Sequence, residues 1–274
     1  MPDLTITSPA NPRLKALVAL RRRRTREDAG LTVVEGFEEL ALALAAGAVP
    51  RTLFICPELY SPAGYAGMQD IGRQIDFVEA ARAAAAEIVY VGRAAFEKVS
   101  YRDGPDGLIG LLPPVDRTLA QVDVPADGLF LIAQGVEKPG NLGAMLRTAD
   151  AAGVCAVIAV DAVTDWANPN VVRASKGTVF AVPVATATAA EMLAWANEYG
   201  IRLVTTTPET HVRYTDIDLT GRVAIVVGAE KHGISPSVLE AGLPARIPLC
   251  GKSNSLNVAA AAAIVLFEAV RQRG

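Results

Sequence analysis

Along the first hundred residues, short apolar runs alternate with stretches in which apolar side chains recur every three or four positions. Leu14, Leu17, Val18 and Leu20 form one such stripe and predict a helix over residues 11–28, with the arginines that follow continuing from it. A strand is expected at 31–34 and a helix at 36–46. Strands at 52–56 and 88–91 flank an alanine-rich helix near 79–86. A further strand at 107–112 is ended by Pro113-Pro114, since proline continues neither regular structure well. This alternation predicts a small α/β domain over residues 1–113. From 114 to 127 the composition turns to Pro, Asp, Thr and Gln, the character of a linker.

The second half, 128–274, alternates more cleanly. Strands are expected at 129–134, 156–160, 179–184, 202–206 and 223–227, with a short one centred on Ile247. Helices are expected at 142–152, 189–199 and 255–271. Runs such as Val223-Ala224-Ile225-Val226-Val227 lack a period of two, as strands do when helices cover both sheet faces. The expected fold class is α/β: a mostly parallel sheet with helices on both sides, preceded by a smaller α/β domain. In such sheets ligands bind beyond the carboxyl ends of the strands, which directs attention to the loops there.

Composition narrows the functional classes. With 51% hydrophobic and 20% charged residues the 274-residue chain has ample material for a core, and its length favours two domains. No stretch has the length and apolar character of a membrane span, and no charged-then-apolar leader opens the chain, so a cytoplasmic protein is expected. Cys56, Cys155 and Cys250 are widely spaced in apolar surroundings, as reduced core cysteines are. His211 and His232 are the only histidines and neither has a partner at ligand spacing, so no metal site is expected.

The net charge of −3 speaks against a polyanion partner until its distribution is considered. Residues 1–30 carry seven basic side chains (Arg13, Lys15, Arg21, Arg22, Arg23, Arg24, Arg26) against three acidic ones, leaving 19 basic and 26 acidic residues elsewhere. Two readings are open: a solvated helix face, or a patch that binds a polyanion locally.

Three loops carry candidate chemistry. The first runs from Gly135 to Asp150, where Pro139 and Gly140 shape a turn and Asn141 either caps the following helix or faces a pocket; Arg147 interrupts an apolar run two turns on. The second, Gly228-Ala229-Glu230-Lys231-His232-Gly233-Ile234, places a carboxylate between glycines directly after an apolar strand. The third, Ile247 to Val258, brings Ser255 and Asn257 to the start of a very apolar helix, where capping accounts for one of them. Gly251-Lys252-Ser253 imitates the end of a phosphate-binding loop, but Arg246 stands where its first glycine belongs, and no strand-linked G-x-G-x-x-G is present.

Together, N-x-G-x-x-x-R-T-A at 141–149, G-x-E-x-x-G-I at 228–234, and I-P-L followed by S-L-N-V at 247–258 resemble the three ordered motifs of the SpoU (TrmH-type) RNA ribose methyltransferases of the SPOUT superfamily. Ser175 and Gly177 fit the same pattern. The resemblance implies a trefoil-knotted C-terminal domain, a homodimer, and S-adenosylmethionine held by Gly228, Ile247, Leu249 and Leu256, with Thr205 and Thr206 at another strand end. It implies methyl transfer to a ribose 2′-hydroxyl, with Arg147 acting on that hydroxyl and Asn141, Glu230, Ser255 and Asn257 orienting the groups. Arginine stays protonated, so Arg147 is expected to polarise the hydroxyl or a neighbouring phosphate, with water or phosphate receiving the proton. Ser8, Asn11-Pro12, Lys15 and Glu35-Gly36 resemble the ribosomal-protein-L30-like substrate domain of rRNA-directed members. That favours 23S rRNA over tRNA as the RNA partner; a non-catalytic RNA-binding relative is a third reading. Lys138 departs from the pattern, where many members have an acidic residue.

Overall fold

The computed structural model describes residues 4–60, 68–252 and 254–274, so Ser253 of the third loop lies outside the described residues. The chain divides into two compact units: Met1–Pro114 with Ala167–Ala181, and Val115–Trp166 with Val182–Gly274.

The first unit contains β1 (Leu4–Ile6), α1 (Pro12–Ala19), α2 (Arg23–Ala29), β2 (Thr32–Glu35), α3 (Phe37–Ala45), β3 (Thr52–Ile55), α4 (Met68–Ala83), β4 (Glu87–Val91), α5 (Arg93–Val99) and β5 (Leu108–Leu112). Its sheet has the order β1-β4-β3-β5-β2, parallel from β1 to β3 and antiparallel at β3–β5 and β5–β2. Leu14 and Leu17 of α1 pack with Phe54, Val89, Phe96 and Ile109 in one core. The helix expected over 11–28 is in fact two. Arg22 is extended, and the Arg26 guanidinium donates to the carbonyls of Leu20 (3.1 Å) and Arg21 (3.0 Å), supplying partners for the orphan acceptors at the end of α1.

The second unit begins inside the segment expected to be a linker. Asp116–Arg117 (β6) pairs with a later strand, and a 3-10 turn at Leu119–Gln121 is closed by a Thr118/Gln121 capping box. Two residues at a sheet edge need ladder partners on one side only, so a proline- and aspartate-rich segment can supply them. There follow β7 (Leu129–Gln134), α6 (Pro139–Ala151) and β8 (Ala156–Val160). The chain then enters the first unit as α7 (Pro169–Ser175) and α8 (Thr178–Ala181), before β9 (Val184–Ala187). The strand expected at 179–184 is therefore helix α8 and the start of β9. Lys176 and Gly177 both adopt positive φ, and a side chain at Gly177 would stand 3.0 Å from the Glu39 backbone, so the turn there admits no larger residue.

The unit is completed by α9 (Ala189–Glu198), β10 (Arg202–Thr206), β11 (Val223–Gly228), α10 (Pro236–Ala241), β12 (Leu243–Ala245) and α11 (Val258–Arg273). The strand expected at Ile247 is displaced to Leu243–Ala245; Ile247 lies in the segment beyond it. All neighbours in the order β12-β10-β11-β7-β8-β9-β6 are parallel. Alternate residues of the central strands (Phe130, Ile132, Ile158, Val160, Ala224, Val226) join Met192 and Trp195 of α9 and Val238 of α10 in one core, with Phe130 edge-on to Trp195 at 5.3 Å. The other face is covered by α6 and α11, which pack on each other, α11 also packing on β11. Among the described residues no helix is long and apolar enough to cross a membrane. Cys56 is buried, but Cys155 is half-buried and Cys250 exposed, so the expectation of three core cysteines fails for the last.

Candidate active site

The carboxyl ends of β7, β10 and β11 open toward the three motif loops. Gly228 ends β11, and a side chain there would overlap the Gly233 carbonyl and the Ile234 amide; the loop can double back only over glycine. It does so in a tight turn in which the Gly233 amide donates to the Ala229 carbonyl at 2.8 Å. Beyond this turn lies a cavity of about 430 Å³. Thr206, Gly228, Glu230, Ile247, Leu249, Ser255 and Leu256 line it, bringing together seven of the expected site residues from the end of β10 and from the second and third motif loops.

A chain of polar contacts runs along its rim. The Lys138 ammonium bonds the Glu230 carboxylate, and Asn141 Nδ2 donates to Glu230 Oε1 at 3.1 Å. Asn257 Nδ2 donates to Asn141 Oδ1 at 3.0 Å, while Asn257 Oδ1 caps α11 by accepting from the amides of Ala259 (3.0 Å) and Ala260 (3.3 Å). The bond to Lys138, and after it the bond to Asn141, holds the Glu230 carboxyl below its ordinary range. One open reading is decided here, and two further expected residues are located. Asn141 is not the cap of α6: Lys138 holds that position with Pro139 after it, and the Asn141 side chain serves Glu230 and Asn257 instead. Thr205 is fully buried and faces away from the cavity, because successive strand residues point to opposite faces; Thr206 alone of the pair lines it. Arg147 is exposed, about 120° round the helix from Asn141 at 3.6 residues per turn, outside the cavity lining and without a hydrogen bond among the described residues.

A second polar cluster carries no motif of its own in the sequence. Gln134, buried at the end of β7, donates to Asp161 Oδ2 (3.0 Å) and Ser235 Oγ (2.9 Å) and accepts from the Ser235 amide (3.0 Å); the Ala189 amide donates to Asp161 Oδ1 at 3.1 Å. These bonds fasten the foot of the 228–235 loop to the ends of two other strands. The available signal was a single polar residue closing an otherwise wholly apolar strand.

The family described as SpoU rRNA Methylase matches residues 128–267, more than half of the sequence. The chain belongs to the SpoU rRNA methylase family. Residues 11–110 match a second family, the MRM3-like substrate binding domain. The 23S rRNA (guanosine-2′-O-)-methyltransferase RlmB of Ralstonia nicotianae is 34% identical over 208 residues, 73% of this chain and 83% of that protein. The 23S rRNA (guanosine(2553)-2′-O)-methyltransferase RlmP of Bacillus subtilis is 36% identical over a shorter stretch, 50% of this chain and 56% of that protein. Among solved structures, an RNA 2′-O ribose methyltransferase is 38% identical with a TM-score of 0.82, covering 98% of this chain and 99% of its own. An AdoMet-bound rRNA methyltransferase from Sinorhizobium meliloti is 30% identical with a TM-score of 0.87, each chain covered to 97%.

In this SpoU family member the N-terminal cations divide by partner. Arg13 pairs with Glu87 at 2.6 Å, the bond that chiefly lowers the Glu87 carboxyl below its ordinary range. Arg21 donates to the carbonyls of Val99 (3.0 Å) and Ser100 (2.8 Å) and lies 5.3 Å over the Tyr101 ring. Arg23 pairs with Glu27 at 2.7 Å, and Arg24 stands 3.9 Å from Asp28. Arg26 is buried, with its guanidinium on backbone carbonyls, and leaves the set of RNA-contacting candidates. Asn11 caps α1 through the Arg13 amide at 2.9 Å. Lys15 and Arg22 are exposed with no partner among the described residues.

Proposed function

We propose that this chain transfers a methyl group from S-adenosylmethionine to a ribose 2′-hydroxyl of 23S rRNA. The observation that carries the proposal is the polar chain Lys138–Glu230–Asn141–Asn257 on the rim of the 430 Å³ cavity, which joins all three SpoU motif loops. The cavity falls in the range of about 300–1,000 Å³ usual for small-ligand sites. Its walls suit the cofactor: Ile247, Leu249 and Leu256 offer apolar surface for an adenine ring, and Thr206, Asn254 and Ser255 offer short polar groups for the ribose and amino-acid ends. When bound, S-adenosylmethionine supplies an electrophilic methyl group on a sulfonium.

The chain's own residues orient and polarise. Asn257, fixed by its own capping bonds, holds Asn141; Asn141 and Lys138 hold Glu230 at the rim. The exposed Arg147 guanidinium presents several N–H donors to a phosphate or the attacking hydroxyl and cannot itself accept a proton. Lys15 and Arg22 present cations to RNA from the first unit, which serves as the L30-like substrate domain over residues 1–113. A cytoplasmic location follows from an rRNA substrate. Two further properties of the family belong to this reading. The segment after β12 lies against residues 212–214, the Arg246 amide donating to the Val212 carbonyl at 2.9 Å and the Tyr214 amide to the Arg246 carbonyl at 3.1 Å, as a chain threading a knot would. Ile264 and Phe267, apolar and exposed one turn apart on α11, supply a face for a second copy in a homodimer.

Transfer of tritiated methyl groups onto purified 23S rRNA, 16S rRNA and tRNA tests the function, with incorporation expected in 23S rRNA and the site located by reverse-transcription stops at low dNTP. Incorporation into tRNA alone, or into no RNA, overturns it.

A further inference from the structure

We propose that His232 accepts the proton released by the ribose 2′-hydroxyl. This rests on the function just proposed and supplies the acceptor that Arg147 cannot be, a guanidinium having no lone pair to offer.

Four titratable side chains line the cavity: Glu209, Glu230, Lys231 and His232. Both Glu230 oxygens are engaged, by Lys138 and Asn141, and those bonds stabilise its carboxylate against protonation. Lys231 ends in an ammonium, a donor group. Glu209 lies on the segment after β10, outside the three motif loops. Imidazole is the side chain suited to taking and returning a proton near neutrality, and among the described residues neither nitrogen of His232 is bonded.

The turn that carries His232 is built for placement. The Ala229–Gly233 bridge closes it, Gly228 allows its backbone to fold onto itself, and Ser235, three residues on, is bonded through both its amide and its hydroxyl to the buried Gln134. His232 lies on this turn, lines the cavity and is exposed to water, which then removes the proton. The balance is complete: the ribose oxygen bonds the methyl carbon as the carbon–sulfur bond breaks and its electron pair returns to sulfur. The hydroxyl proton passes to an imidazole nitrogen of His232. The products are the 2′-methyl ether, neutral S-adenosylhomocysteine and an imidazolium that loses its proton to solvent.

With only His211 and His232 in the sequence, histidine-selective ¹³C labelling gives two imidazole signals, assigned with His211→Asn. Titration of the full chain with S-adenosylhomocysteine is expected to move the His232 signal and leave that of His211, which is not part of the cavity lining. In single-turnover methyl transfer the wild-type rate is expected to fall as pH drops through the imidazole range. His232→Asn and His232→Gln are expected to lose about 10²-fold at pH 7.5 and to lose that acid limb, with cofactor affinity by calorimetry within about twofold. An unmoved His232 signal, or variants within about threefold of wild type and with the same pH profile, overturns the assignment. The NMR arm uses unaltered His232, so misfolding of the variants does not remove the test. Wild-type protein that methylates no RNA overturns the functional reading itself, whereas active wild type with unaffected variants overturns only the role of His232.

Discussion

The arginine-rich segment at the start of the chain and the rim of the cavity in its second half both concentrate charge, yet they are satisfied on different scales. In the first, most of the partners described are close in sequence: Arg23 and Arg24 stand against acids four residues on, and Arg26 reaches back five and six residues to backbone carbonyls, while Arg21 reaches the carbonyls of Val99 and Ser100, 78 and 79 residues away. At the rim, Lys138, Glu230, Asn141 and Asn257 find one another across 89 to 116 residues. Local pairing costs little to arrange and stabilises a helix end; long-range pairing is assembled only when the whole sheet is built, and it leaves its polar atoms where loops from several strands meet. The contrast suggests a rule for the cations. Those with protein partners hold the fold, and those without are available to a polyanion.

Arg147 is the sharpest case, an exposed guanidinium in the second half with no bond among the described residues. Arg147→Ala is expected to lower the methyl-transfer rate by at least about 10²-fold, the scale for removing a donor aimed at developing charge, with cofactor affinity by calorimetry unchanged within about twofold. Robust turnover by that variant would falsify the rule at its strongest point.

The long-range network comes next. Asn141→Ala removes a bond from Glu230 and another from Asn257, and a loss of about 10- to 100-fold in rate is expected, as for groups that orient catalytic ligands. Asn257→Ala is expected to cost about as much, and the double variant little more, because the two side chains act as one unit. Additive losses would mean that the contact at 3.0 Å carries no coupling.

For the first unit the rule separates stability from binding. Arg26→Met strands the Leu20 and Arg21 carbonyls and is expected to cost about 2–3 kcal/mol in denaturant unfolding, without altering the salt dependence of RNA binding. Replacing Lys15 and Arg22 by alanine is expected to do the reverse: unfolding unchanged within about 0.5 kcal/mol, and RNA affinity reduced, with a salt slope shallower by about one for each phosphate that is no longer neutralised. Equal effects of the two variants on stability would erase the distinction.

How much of this the sequence discloses depends on the range of the interactions involved. The strands at 129–134 and 156–160 were legible to the residue because central strands buried on both faces are apolar almost throughout. Helices α7 and α10 leave no such trace: each starts at a proline and runs for only seven or six residues, too short for a 3.6-residue period to register. The break between α1 and α2 is equally silent, because it depends on where one arginine side chain bonds, which no periodicity records. The motif loops were legible as loops and, through their order, as a family; Asn141 stands out in its loop, but its partner Asn257 is 116 residues away. Gln134 bonds Ser235 across 101 residues, and Thr205 differs from Thr206 only in the face it presents.

The smallest effect expected lies at an intermediate case, Arg13 with Glu87, a close pair between residues 74 apart whose side chains are both about half exposed. By separation it resembles the cavity rim; by exposure it resembles the solvated helix face. The Arg13 bond depresses the Glu87 carboxyl in the folded state, so any stability it contributes is present above the ordinary carboxyl value of 4.5 and is lost as pH falls through the lower folded value. Exposed pairs contribute about 0–1 kcal/mol, so Arg13→Ala should change unfolding at pH 7 by less than about 1 kcal/mol, and that difference should vanish below the folded value of Glu87. If exposure decides, the effect is screened away by about 1 M salt. If separation decides, it survives, and distance along the chain rather than access to solvent is what distinguishes structural from functional charge in this protein.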